Sequence, residues 1–221
     1  MFFATSWDDG NKSDLKVAKL LNELNLKGTF YIPIYWKMRS ISDSQIKKIS
    51  KNFEIGSHSF SHKKMTLLNE QELEFELNES KKILEKIISK KIVSFAYPFG
   101  QYNKRTIVAV KKAGYEFART STEHNFSKPK NPLAANISLR ITDIFVSPII
   151  VLKRMSKYGS FTFLKSFKKI VDNAKKNDII HIAGHSWEFS NDDIFEKLVD
   201  MLTYISKRQV NPITNFEILG V

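Results

Sequence analysis

The chain has 221 residues, a formal net charge of +12 and no cysteine. The missing cysteine excludes a disulfide framework, a thiolate metal site and a thiol nucleophile. Apolar residues make up 42% and charged residues 26%, which suits one ordered domain over residues 1–221 and argues against disorder.

The N-terminus, Met1 to Asp9, has no basic segment followed by a long apolar core, so no signal peptide is expected. The chain has no run of about 18 uncharged apolar residues, so no spanning helix is expected either. The expected location is the cytoplasm, with membrane-peripheral attachment left open. The charge is even, +6 in residues 1–110 and +6 in 111–221. No RNP-like, helix-turn-helix or zinc-finger pattern accompanies it, so no specific nucleic-acid partner is expected.

Taken in chain order, strands and helices alternate. Phe2 to Trp7 reads as a strand. Ser13-Asp14 offers an N-cap, and Leu15, Ala18, Leu21 and Leu24 recur at helical spacing until Gly28. Gly28 to Ile34 is a second strand, Ser42 to Lys51 a helix and Phe53 to Ser57 a third strand. Glu70 to Lys91 is a helix with a Leu73, Leu77, Leu84, Ile87, Ile88 stripe. Its acids fall early and its lysines late, as the macrodipole favours. Val93 to Tyr97 is a strand and Asn103 to Ala113 a helix. Tyr115 to Thr120, Ile137 to Ile141 and Ile179 to Ala183 are strands. Asp192 to Lys207 is a helix, and Val210 to Leu219 is read as a last strand. Repeated β-α units predict a parallel sheet or barrel, with chemistry at the C-terminal ends of its strands.

One local charge excess lies between Val146 and Asp178, where eight basic residues face two acidic ones. Phe161, Phe163, Leu164, Phe167, Ile170 and Val171 interleave with them. This reads as a helix with a solvated lysine face, or as an amphipathic segment lying on an anionic membrane.

The strand ends carry Asp8-Asp9-Gly10, His58-Ser59-Phe60-Ser61-His62, Tyr97-Pro98-Phe99-Gly100 and Gly184-His185-Ser186-Trp187-Glu188. His58 and His62 are four apart, which on a helical turn puts both rings on one face. With a neighbouring carboxylate they form a two-histidine, one-carboxylate set. That set suits one divalent metal, Zn²⁺ first, with Co²⁺, Ni²⁺ or Fe²⁺ as alternatives. Adjacent side chains on an extended segment diverge. One of Asp8 and Asp9 can therefore ligate while the other serves as a base toward water.

In this order the motifs resemble the polysaccharide deacetylase family, the NodB-like domain of carbohydrate esterase family 4. The family's T-F-D-D-G stands here as Ser6-Trp7-Asp8-Asp9-Gly10 and its H-[ST]-x-x-H as His58 to His62. R-x-P-[FY]-G stands as Ala96 to Gly100, and the closing strand-histidine as Ile182 to His185. The resemblance implies a distorted (β/α) barrel of about seven strands, fewer than a full eightfold barrel. It implies metal-dependent removal of N-acetyl groups from amino sugars of a glycan or glycan precursor. Position by position, it makes Asp9, His58 and His62 metal ligands, Asp8 the base and His185 the acid. The Phe99 amide would hold the oxyanion. Tyr97, Pro98 and Trp187 are expected to line the substrate pocket, with Trp36 at its border.

Three departures stand out. Ala96 replaces the arginine that orients the base; Arg140, or else Arg119, is expected to supply that guanidinium from another strand end. The motif that orients the acid is not visible, which leaves Asp143 or Glu188 for that role. The ending Gly184 to Glu188 is richer than usual for the family. Competing readings are a deformylase or amidase acting on a lipid-linked or small amide, and a non-catalytic glycan-binding relative. His181 reads as a packed strand residue and His124 as an exposed one.

Overall fold

A computed structural model describes residues 1–141 and 163–221. Strands β1 (Phe2–Asp8), β2 (Thr29–Ile32), β3 (Glu54–Ser57), β4 (Ser94–Ala96), β5 (Phe117–Arg119), β6 (Leu139–Arg140) and β7 (Ile179–His185) form one sheet. Its order is β5-β4-β3-β2-β1-β7-β6, and every pairing among the described strands is parallel. The short β8 (Asn211–Pro212) pairs beside the start of β1. Helices α1 (Asp14–Glu23), α2 (Asp43–Ile49), α3 (Glu70–Ile88), α4 (Lys104–Lys112), α5 (Phe163–Asn173) and α6 (Asp192–Ser206) complete the β-α alternation. The sheet curls, and residues 135–140 hydrogen-bond to β5 at their start and to β7 at their end. This is the curled parallel half-barrel that the motif order implied.

Local signals account for most element boundaries. Asn69 and Glu72 form a reciprocal capping box at the start of α3, and Ser89 closes it in the left-handed conformation. Leu73, Leu77, Leu84 and Ile88 bury the predicted stripe. Ser42 and Gln45 cap α2 in the same way.

Two expectations are corrected. Ser13 does not cap α1: its backbone is already helical and its side chain makes no capping bond. Asn11 accepts from the Ser13 amide instead, at 3.0 Å, and the chain leaves the helix at left-handed Asn25, before Gly28. The predicted strand at 210–219 is cut to two residues. Beyond it, the Asn215 amide donates to Thr29 Oγ1 and the Phe216 amide to Glu54. These donors turn to side chains inside the barrel, and the chain closes as a 3-10 turn at Phe216–Gly220.

The barrel floor is apolar, made by Ala4, Phe117, Ala135, Ile179, Ile213 and Ile218. Above it lies a polar layer, because alternate residues of each strand face inward. Glu54 accepts from Thr29 Oγ1 at 2.9 Å and from the Ser94 hydroxyl. His181 meets Ser6 Oγ at 3.0 Å and lies buried, a packed strand residue.

The basic segment falls largely outside the described residues. Where it is described, Phe167 and Val171 of α5 are buried in the core. That part of its apolar face packs inward rather than onto a membrane. Among the described residues, no helix is long and apolar enough to cross one.

Burial, and the nearby Arg119 charge, push the His181 imidazole down to about 3. The unfolded chain then binds one more proton than the folded chain between that value and the ordinary 6.5. Stability is complete above the unfolded value and falls as pH drops through this window. Between pH 6.5 and 5 this single group removes about 2 kcal/mol. His181→Gln is expected to flatten the loss by that amount in urea titrations across the range. Equal slopes in the two proteins would contradict the assignment.

Candidate active site and metal centre

Four strand ends meet at the mouth of the barrel. β1 delivers Asp8 inward, opposite His185 in the β1–β7 register. Asp9 then takes a left-handed φ of 74°, a conformation Asp tolerates better than most residues. That turn separates the two carboxylates, as their adjacency required.

β3 delivers His58, whose Nδ1 lies 2.8 Å from the Ala96 carbonyl. A proton at Nδ1 donates there and leaves Nε2 bare, the form a metal ligand needs. The segment from His58 to His62 is not the helical turn expected. Ser59 and His62 both have positive φ, 66° and 54°, and the loop folds back on itself. Ser59 Oγ accepts the His62 amide at 2.9 Å. Buried Glu76 of α3 accepts the Ser61 amide at 2.7 Å and its hydroxyl. These bonds bring His62 Nε2 to 3.1 Å from His58 Nε2 and 3.4 Å from Asp9 Oδ1.

Asp9, His58 and His62 therefore offer three buried donor atoms within 4.8 Å of one another. Asp9 Oδ1 has no hydrogen-bond partner among the described residues. A buried carboxylate oxygen left bare costs free energy unless something positive meets it. Burial depresses both imidazoles, and the neighbouring His58 charge helps bring His62 down to about 3. Neutral rings are the metal-binding form. The donor set fits one divalent ion. Trp36 stacks on His62 at 4.3 Å and the Phe99 edge meets it at 4.7 Å, so the ring is walled on two sides.

Asp8 is the second carboxylate. Burial would raise it, but Arg119, His58 and His185 outweigh burial and hold it near about 2. The guanidinium at its side belongs to Arg119, not to Arg140 as first expected. Arg119 is 3% exposed on β5 and hydrogen-bonds Asp8 Oδ1 directly. Arg140 sits at the far edge on β6, where it pairs with Glu123 at 3.1 Å and the Ser121 carbonyl at 2.7 Å. The curl explains the difference: β5 faces β1 across the interior, whereas β6 points Arg140 toward the 121–123 loop.

His185 ends β7 and stands 3.8 Å from Asp9 Oδ2. Burial opposes its charged form, but the Glu188 hydrogen bond at 2.9 Å and the Asp8 charge prevail, and its pKa is raised. Glu188 is thus the carboxylate that holds the His185 ring. Asp143, the other candidate, lies outside the described residues. Trp187 stacks on His185 at 4.9 Å and donates to Asp9 Oδ2 at 3.3 Å, so its indole is tied into the site.

Of the Tyr97-Pro98-Phe99 group, only Phe99 reaches the cleft, with 52% exposure and a left-handed φ of 59°. Pro98 is buried. Tyr97 is corrected as a pocket residue: it is buried, packs on Phe95 and Tyr102, and donates to the Leu133 carbonyl at 2.9 Å. Gly100 has φ 67°, and a Cβ there would collide with Ser121, so glycine lets this turn lie against the β5 loop. Asp14, Tyr31 and Asn215 lie in or beneath the site with no motif to announce them. Burial and the Asp8 and Asp9 charges push Asp14 up to about 8.

Comparisons with known proteins show the family and the fold. A family model described as polysaccharide deacetylase matches residues 2–118, and the chain belongs to that family. It is 25% identical over 120 residues to the Bacillus subtilis (strain 168) protein YxkH, covering 52% of this chain and 43% of that one. The chain therefore matches less than half the length of that curated relative. A Mycobacterium smegmatis structure shares the fold at TM-score 0.74 and 14% identity, over 99% of this chain and 89% of that one. So does a mutant of BA3943, described as a CE4 family pseudoenzyme, at TM-score 0.64 and 15% identity, over 99% and 67%.

Removing Arg119 leaves Asp8 buried without its partner. Arg119→Ala is expected to cost on the order of 3 kcal/mol in urea unfolding at pH 7. Arg140→Ala, at a half-exposed pair, is expected to cost less than about 1 kcal/mol. The reverse ranking would return the guanidinium role to Arg140.

Proposed function

We propose that this chain is one catalytic domain, a metal-dependent N-deacetylase acting on amino sugars of a glycan or glycan precursor. The observation that carries the reading is one convergence. A three-donor set is flanked on one side by an ionised carboxylate held by an arginine. On the other stands an imidazole whose protonated form is favoured. Amide hydrolysis needs these three parts: an electrophile for the acyl group, a base for water and an acid for the amine leaving group.

When bound, a divalent ion held by Asp9, His58 and His62 supplies Lewis acidity toward water and the acyl oxygen. Zn²⁺ suits the set best, with Co²⁺, Ni²⁺ or Fe²⁺ as alternatives. Asp8, kept ionised by Arg119, accepts the proton of the attacking water. The Phe99 amide donates to the oxygen that becomes negative. His185, oriented by Glu188, gives its Nε2 proton to the departing sugar nitrogen. Glu188 raises the acid's pKa, and Arg119 lowers the base's. The environments thereby divide the two roles. Phe99 and Trp36 offer apolar faces for a pyranose ring beside His62.

Acetate release is expected from at least one member of a panel of N-acetylated chitooligosaccharides, peptidoglycan fragments and nucleotide sugars, with added Zn²⁺ or Co²⁺. Asp9→Ala is expected to lose bound metal, measured by mass spectrometry on untagged protein. Asp8→Asn keeps the metal and loses about 10²- to 10⁴-fold in turnover. Wild-type turnover in Asp8→Asn would overturn the base assignment. Release of formate alone would move the activity to deformylation. Full metal occupancy without turnover on any acyl sugar would favour a glycan-binding relative.

His185→Ala is expected to lose more turnover on amides than on aryl acetates. A phenoxide leaves without a proton, whereas a sugar amine does not. Equal losses on both would argue against the acid role.

A further inference from the structure

The family pattern places the base-orienting arginine beside the site, at the position of Ala96. Here the guanidinium comes from β5 and crosses the barrel interior to reach Asp8. A long cation on such a route needs a floor. Its Nε has no hydrogen-bond partner among the described residues, and Nη1 meets only the carbonyl of neighbouring Thr120, at 3.2 Å.

The floor is Tyr31. Its ring centre lies 5.2 Å from Arg119 Cζ, and its side chain is fully buried. A buried guanidinium over an aromatic face is attracted by the ring quadrupole. The ring itself is held from two directions. Gly56 is its register partner on β3, and a Cβ there would collide with the ring. Asn215 Nδ2 donates to the Tyr31 hydroxyl at 2.9 Å. Asn215 is fixed in turn by its own amide on Thr29 Oγ1 at 2.9 Å, and Thr29 donates to Glu54 at 2.9 Å.

We infer that Tyr31 is a positioning residue for Asp8, acting through Arg119, and that the C-terminal turn at Asn215 locks it. The inference rests on the deacetylase reading for its kinetic consequence only; the contact itself is independent of it. The turn at 215–216 thereby forms the far end of a column that ends at the base. The column needs the relocated arginine: an arginine at position 96 would start from another strand.

The test has two readouts. In turnover, Tyr31→Leu is expected to lower kcat about 10- to 100-fold with KM within about twofold and metal content unchanged. Tyr31→Phe keeps the ring and stays within about threefold of wild type. The second readout is hydrogen exchange of the Arg119 Nε–H, followed by NMR in protein labelled with ¹⁵N-arginine. It is expected to quicken at least about tenfold in Tyr31→Leu and by a smaller factor in Tyr31→Phe, which keeps the ring but loses the Asn215 bond. Should Tyr31→Leu not fold, Asn215→Ala, which removes only the hydroxyl anchor, is expected to quicken it by a smaller factor. Unchanged exchange in the folded variants would overturn the inference, as would equal loss of kcat in Tyr31→Phe and Tyr31→Leu. If wild-type protein releases no acyl group from any substrate, the deacetylase reading fails alone. The exchange data still decide whether Tyr31 holds Arg119.

Discussion

Arg119 and Asp8 form a buried ion pair between β5 and β1, strands at opposite ends of one run of the sheet. Neither charge could be buried alone at an acceptable cost. The pair can close only if the sheet curls until its first and fifth positions in that run face each other. Curling brings the mouth of the barrel together, and the mouth is where β1, β3 and β7 deliver Asp9, His58 and His185. The same ion pair, with His58 and His185, holds the Asp8 carboxyl down against the burial that would raise it. One interaction thus shapes the barrel and helps set the charge of Asp8.

The site is assembled from residues in an uncommon backbone state. Asp9, Ser59, His62 and Phe99 all have positive φ. Each such residue costs free energy, and the conformations persist because neighbouring bonds over-determine them. Glu76 pins Ser61, Ser59 pins the His62 amide, and Gly100 lets the Phe99 turn rest on Ser121. The strained turns point side chains at one spot that straight strands would spread over opposite faces.

Environment divides the histidines by chemistry. His58 and His62 are buried beside each other, and each favours the neutral form. His185 is half-exposed, bound to Glu188 and surrounded by carboxylates, and it favours the charged form. His181, equally buried and with its ring against Ser6, is part of the barrel's polar filling. Three of these imidazoles therefore favour the neutral form and His185 alone the charged one, decided by burial and by the nearest carboxylate.

Much was legible in the sequence because it is written in short-range terms. The strand and helix order and the convergence of Asp8, Asp9, His58, His62 and His185 follow from periodicity and from motifs at strand ends. Local signals missed where a residue's partner lay far along the chain. Nothing near Arg119 or Arg140 says which one crosses the barrel; that depends on the curl. Tyr97 carries a motif position, yet its ring turns into the core. The amides after Pro212 bond to Thr29 and Glu54, more than 150 residues away, and so end a strand that periodicity would extend. Sequence by itself determined which chemical groups this protein has and which strand ends carry them. Tertiary structure alone decided which arginine meets Asp8, because a buried charge is placed by the walls that close around it.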